Sequence, residues 1–257
     1  MSKWYRNREG YPKLSLREIL GKDNAHLYQN EIKELVSITD VKRFYNSCKI
    51  LTPFKGLVSL VNNAFSDEIL ESFTNNKFTI TIKPRQIGYS TTSAIIALYQ
   101  TQFLNKSVVI VNRKHILDRV KELYVNLPEH LKYGVKKLTK KCIFFNNDTY
   151  IKVSSKYPKG NSPELVIFDE YDFLSSKQIK DFIISIAPSV AARIGDQVLI
   201  GSTINHRQTG LGSIRDMISN KDYGIYNFSI INLNQIDLIM KQFERNKKIN
   251  EILDEKT

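Results

Sequence analysis

Two short segments of this sequence carry residue types whose order suits phosphate chemistry. The first is Lys83-Pro84-Arg85-Gln86-Ile87-Gly88-Tyr89-Ser90-Thr91, directly after the β-branched run Phe78–Ile82. A strand that runs into a glycine-bearing loop, with a hydroxyl pair opening a helix, is the layout of a phosphate-binding loop. Backbone N–H groups at such a helix start face an anion, and a Ser or Thr hydroxyl there can ligate magnesium. Against the pattern G-x-x-x-x-G-K-[ST], Gly88 and Ser90 fit. Tyr89 stands in place of the lysine, and Lys83 in place of the first glycine. A lysine at the loop entrance still suits the task, which needs a point charge on the β and γ phosphates. Taken alone, the segment reads equally well as an ordinary strand, turn and helix.

The second segment, Leu165-Val166-Ile167-Phe168-Asp169-Glu170, is an apolar strand that ends in adjacent carboxylates. In phosphate-loop ATPases the first such carboxylate holds magnesium through water, and the next polarises the attacking water as general base. A hydrophobic run ending in Asp-Glu is common by itself. The two segments in this order, each closing a strand, are more specific. A third strand, Val198-Leu199-Ile200-Gly201, ends in Ser202-Thr203. Small and hydroxyl residues at that point suit a place beside a γ-phosphate, at the carboxyl edge of a parallel sheet. His26, His115, His130 and His206 show no metal-ligand spacing and are expected in surface or packing roles. Tyr89 is expected to fill the space of the absent lysine chain, with stacking near a nucleotide as the other reading.

The elements that must position these residues alternate in period. Strand-like runs at 78–82, 107–111, 165–168, 197–201 and 225–231 interleave with helical patterns at 90–104, 113–127, 176–186 and 211–219. A hairpin is expected around Asn146-Asn147-Asp148. Further helices are expected from Asp40, from Pro53 through Phe65, over Asp67–Phe73, and in a charged run from about Leu233. Strands alternating with helices predict an α/β domain with a mainly parallel central sheet flanked by helices. The division expected is a helical arm over 1–50, a core over 51–235 and a charged terminal helix over 236–257.

Composition narrows the classes. The chain has 257 residues and a net charge of +12, with 42% hydrophobic and 25% charged residues. That excludes a disordered or collagen-like chain, and one or two domains with a proper core are expected. No apolar stretch is long enough to span a membrane. The first residues, MSKWYRNREGYPKLS, lack the apolar core of a signal peptide. The two cysteines, Cys48 and Cys142, are too few for a disulfide framework, so a reduced setting is expected. Residues 101–160 hold 13 Lys/Arg against 4 Asp/Glu, nine of the twelve net charges. Such a block faces either solvent or a polyanion. Lys132, Lys136, Lys137, Lys140 and Lys141 are the candidates for sequence-independent contact with DNA phosphates.

The run K-P-R-Q-I-G-Y-S-T, the Asp-Glu strand and then G-S-T resemble the ATPase domain of the large terminase subunit of tailed bacteriophages. One branch of that family shares the displaced lysine with G-Y-S. Thr52-Pro53-Phe54-Lys55 resembles its segment near the adenine, though Lys55 replaces the usual Gln, and Gly160-Asn161-Ser162 is a further match. The resemblance covers roughly residues 50–235. It implies a P-loop NTPase fold of the ASCE type and an Mg2+-dependent ATPase that drives double-stranded DNA into a prohead. Lys83 and the Pro84–Thr91 loop, with Phe54, Ser202 and Thr203, would bind ATP. Ser90 and Asp169 would hold the metal, Glu170 would activate water, and Ser202 and Thr203 would couple hydrolysis to movement. Two roles stay open for Arg85: stabilising charge on the transferring phosphate, in cis or from a neighbour, or a salt bridge within the loop. Arg193 and Arg207 are further candidates from a neighbour.

The same resemblance implies a ring-forming homo-oligomer on the portal protein, a small terminase subunit as partner, and a setting in the cytoplasm of an infected bacterial host, with no membrane. A nuclease domain normally follows in the family, and no acidic cluster for it is found before Thr257. The competing expectations are a DNA-binding or scaffold protein with a degenerate nucleotide site, and a helicase-like P-loop motor.

Overall fold

The structure, a computed structural model, describes residues 40–52, 54–111, 113–154, 163–175, 177, 182, 187–203 and 228–232. The expected helices over 1–39, 211–219 and from 233 lie outside the described residues, as does most of 176–186.

Helix α1 (Val41–Ser47) is opened by Asp40, whose carboxylate accepts from the Arg43 N–H at 2.9 Å. Helix α2 (Ala64–Asn75) starts with a reciprocal cap between Asn63 and Ser66 and buries Ile69, Leu70 and Phe73. Between them the helix expected from Pro53 to Phe65 is not formed. Strands β1 (Lys49–Thr52) and β2 (Gly56–Ser59) pair there as an antiparallel hairpin. Gly56 takes φ +67°, which only glycine adopts readily, and the Thr52 hydroxyl both donates to the Gly56 carbonyl and accepts from the Lys55 N–H. That turn chemistry overrode the apolar spacing of Leu57, Leu60 and Val61. The hairpin lies against the helix at 114–126, where the Leu51 N–H donates to Glu122 at 3.0 Å.

The main sheet contains β3 (Phe78–Ile82), β4 (Val108–Val111), β5 (Val135–Leu138), β6 (Cys142–Phe145), β7 (Tyr150–Ser154), β8 (Leu165–Asp169), β9 (Gln197–Ser202) and β10 (Phe228–Asn232). Its order is β10-β3-β9-β8-β4-β7-β6-β5. The six strands from β10 to β7 run parallel, and β6 and β5 are antiparallel additions at one edge. β6 and β7 form the hairpin expected around Asn146-Asn147-Asp148, with Asp148 at φ +63°. β5 was not expected. Its residues are exposed and half of them are lysines, so no apolar period marks it.

Alternation along the central strands builds two cores, one on each face. Val108, Ile110, Leu165, Ile167 and Leu199 belong to one, and Val109, Val111, Val166, Phe168, Val198 and Ile200 to the other. Helix α3 (Tyr89–Phe103) and helix α4 (Lys114–Asn126) cover the first face, and α1 joins the same core through Val41, Phe44 and Tyr45. α3 is buried along almost its whole length, which explains its small and apolar composition and its lack of a polar face. Helix α5 (Ala187–Ala192) places Val190 in the second core. Among the described residues, no helix is long and apolar enough to cross a membrane.

The parallel arrangement brings four strand ends to one edge: β3 before Lys83, β8 at Asp169, β9 before Thr203, and β4 shortly before Arg113. β9 lies between β3 and β8, pairing Ser202 with Ile82 and Gly201 with Asp169. This edge is where α/β sheets of this kind offer a crevice.

Candidate functional site

A cavity of about 800 Å³ opens at this edge, lined by the 83–91 loop together with Arg113, His115, Asp169, Glu170 and Phe173. The loop leaves β3 as its Lys83 N–H donates to the Ser202 carbonyl at 3.0 Å. Gly88 takes φ +86° and ends the loop, so that α3 starts at Tyr89 with its first N–H groups beside the cavity. Glycine suits that turn because the left-handed region is open to it. Gln86, at φ +65°, adopts the same region within the loop.

Lys83 is 5% exposed and spans both carboxylates, with Nζ 3.1 Å from Asp169 Oδ1 and 2.8 Å from Glu170 Oε1. The Ser90 hydroxyl donates to Asp169 Oδ2 at 3.0 Å. Glu170 itself is left-handed, at φ +56°, and its second oxygen accepts from the Thr203 hydroxyl at 2.6 Å and N–H at 3.3 Å. Burial works to raise the Glu170 carboxyl. The hydrogen bonds from Lys83 and Thr203 outweigh it and hold the group below the usual carboxylate range.

Three residues not singled out for the site, Arg113, His115 and Phe173, complete the cavity wall. Arg113 Nε donates to the Asp169 carbonyl at 3.0 Å, and His115 Nε2 lies 3.2 Å from Ser90 Oγ and 3.3 Å from Asp169 Oδ2. His115 is exposed, as a surface role would have it, and it also stands at the polar edge beside Ser90 and Asp169. The available signal was its place just past the apolar run Val108–Val111, a further strand ending at the same edge.

Tyr89 is a core residue. It is 3% exposed, and its hydroxyl donates to the Phe168 carbonyl at 3.2 Å. Burial above all, with the Asp169 charge beside it, pushes the phenol well above its usual value, so it stays a neutral donor. Its ring lies against Gly201, where any Cβ would overlap it.

Of the remaining candidates, Arg85 is exposed at the cavity and has no partner among the described residues. Ser202 and Thr203 do not line the cavity, and Thr203 reaches it through Glu170. Phe54 is 98% exposed on the hairpin turn and does not line the cavity. Arg193 pairs with Asp196 at the opposite edge of the sheet, and Arg207 lies outside the described residues.

The basic residues sit on the antiparallel edge. Lys136 and Lys137 are on exposed β5, Lys140 and Lys141 follow it, and Lys136 pairs with Asp148. The Lys132 ammonium is engaged by Glu129 and the Val125 carbonyl and lies over the Tyr124 ring.

Among the described residues, no three His, Cys, Asp or Glu side chains converge as a preformed metal cage. The Ser90–Asp169 oxygen pair nonetheless fits magnesium, which takes few protein oxygens and keeps water and phosphate ligands.

No protein-family model matches the chain. A solved structure does: the HK97 bacteriophage large terminase matches 75% of this chain with a TM-score of 0.56 at 20% identity. The fold is of the P-loop α/β type. The match covers 42% of the HK97 protein, so this chain spans about two fifths of that length. The ATPase domain of the Thermus phage P74-26 large terminase is also similar, at 16% identity and a TM-score of 0.49, over 72% of this chain and 87% of that one. A mutant of that domain matches at 14% and 0.47, over 66% and 80%.

Proposed function

We propose that this chain is the ATPase motor domain of a viral terminase large subunit and couples ATP hydrolysis to the translocation of double-stranded DNA into a prohead. The observation that carries this reading is the joining of the 83–91 loop to the Asp169–Glu170 pair through Lys83 and Ser90. That joining supports nucleotide hydrolysis, the chemistry phosphate-loop ATPases share, and the likeness of fold to the HK97 large terminase supports the packaging task over another P-loop motor.

The first N–H groups of α3 and the Lys83 ammonium take the phosphates. Ser90 and Asp169 would hold magnesium, which would supply positive charge to the phosphate oxygens. Glu170 accepts a proton from the attacking water, and Thr203 fixes the carboxylate so that a change at Glu170 is passed to the end of β9. The Lys83 ammonium lies on the acidic pair in the cavity wall, so phosphate binding competes with its hold on Glu170 and frees that oxygen for water.

The deciding experiment measures Mg-dependent ATP turnover, with and without DNA, for the wild type and Lys83→Ala. Turnover that falls about a hundredfold or more in the variant is expected. Turnover unchanged by the substitution would sink the site assignment. A wild type that binds DNA yet never hydrolyses ATP would leave a scaffold with a degenerate site.

DNA is the partner we assign to the antiparallel edge, in a ring assembled on the portal protein with a small terminase subunit. Replacing Lys136, Lys137, Lys140 and Lys141 by Gln is expected to weaken DNA binding at low salt. The log–log salt slope should become shallower by about 0.9 for each DNA phosphate that the variant no longer neutralises. Lys132→Gln is expected to change neither, because its side chain is only 11% exposed and its ammonium is held by Glu129 and the Val125 carbonyl, whereas the Lys136–Asp148 pair is open to solvent. Equal slopes for the wild type and the four-lysine variant would make this edge a solvated face only.

A further inference from the structure

We infer that Arg113 is a phosphate-contacting residue of the same site, supplying in cis the fixed positive charge that the loop lacks at position 89. This rests on the nucleotide reading above. The helix start offers no cation there, since Tyr89 points its hydroxyl into the core at the Phe168 carbonyl. Lys83 is shared between two carboxylates, and His115 lies between Ser90 and Asp169. A nucleotide polyphosphate brings several negative charges into this cavity, and magnesium with one shared lysine leaves part of that charge unmatched.

Arg113 has the placement to meet it. It lines the cavity, and its Nε is tied to the Asp169 carbonyl, which fixes the guanidinium beside the acidic strand. Its two terminal nitrogens have no partner among the described residues. A guanidinium keeps its charge and offers donors in a planar fork, so anchoring it by Nε leaves the other edge for phosphate oxygens. Arg85 lines the same cavity and is exposed, with no partner among the described residues to hold it. A donor held in place before substrate arrives is worth more in the transition state than one that must be ordered first. The position also follows from the fold. Arg113 leads into α4 just past β4, so the strand beyond the acidic one carries a charged residue to the cavity.

The test uses the full chain with Mg-ATP and a fluorescent ADP analogue, and compares the wild type with Arg113→Ala, Arg113→Lys and Lys83→Ala. For Arg113→Ala, kcat is expected to fall about a hundredfold or more, while ADP affinity and the thermal midpoint change little. Arg113→Lys should recover little, because an ammonium cannot hold the Asp169 carbonyl and also present a fork. Millimolar guanidinium should restore part of the turnover of Arg113→Ala and none of that of Lys83→Ala. Turnover of Arg113→Ala within threefold of the wild type would overturn the inference. So would a parallel loss of ADP affinity and thermal midpoint with no guanidinium rescue, which marks a brace for Asp169 alone. A wild type that binds neither nucleotide overturns the nucleotide reading itself, and that result is visible before any Arg113 variant is made.

Discussion

Glu170→Gln is expected to lower ATP turnover by about 10²–10⁴-fold while nucleotide stays bound. The amide keeps the shape of the carboxylate but cannot take a proton from water. Its position is also unusually fixed: a left-handed backbone at φ +56°, with Lys83 on one oxygen and Thr203 on the other. Because those hydrogen bonds depress the carboxyl, Glu170 is ionised throughout the neutral range, and on acidification it protonates only below the ordinary carboxylate range. The wild type should therefore keep its base form at every pH where the chain is studied, and the loss in Glu170→Gln should not depend on pH near neutrality. The measurement is single-turnover hydrolysis with saturating Mg-ATP beside equilibrium binding of a fluorescent analogue. Equal loss of binding and turnover would mean that Glu170 holds Lys83 in place and is not the base. Full turnover in the variant would move the general base to another residue.

Much of the framework could be read from residue order because the sheet is parallel and buried. Runs such as Val108–Val111 and Leu165–Asp169 are apolar on both faces, and their ends mark the edge where chemistry collects. Lys83, Ser90, Asp169, Glu170 and Thr203 were legible for that reason. What was not legible came from contacts between distant segments. Arg113 and His115 follow a strand with no motif of its own, and only the order β8-β4 brings them beside Asp169. The β1–β2 hairpin was hidden because one glycine at positive φ and one threonine hydroxyl outweigh the helical spacing of the apolar residues around them. Charge at the antiparallel edge was visible as composition. The engagement of Lys132 by Glu129 and Tyr124 was not, since it depends on the short 3-10 turn Glu129–Leu131.

Restoring the lysine of the usual loop pattern, Tyr89→Lys, is expected to destabilise the fold instead of improving the site. The Tyr89 ring fills buried space against Gly201, and deleting a large buried aromatic costs about 3–5 kcal/mol. An ammonium left in that space adds a desolvation penalty of several kcal/mol unless it finds a carboxylate. The nearest pair, Asp169 and Glu170, is already bridged by Lys83. Gly201 is the other half of the same contact. Gly201→Ala puts a methyl group into the ring, and such overpacking costs about 1–3 kcal/mol. The two substitutions should therefore couple: Gly201→Ala should cost less in a Tyr89→Ala background than in the wild type, because the ring it strikes is gone. Urea denaturation of the four chains of that cycle, with Tyr89→Lys beside them, measures each term. If the Gly201→Ala cost is the same in both backgrounds, the ring does not rest on Gly201. A Tyr89→Lys chain that is as stable as the wild type and binds ATP more tightly would place side chain 89 at the phosphates. The displaced lysine at position 83 would then be redundant, whereas the packing of Tyr89 requires that the cation enter from the strand end.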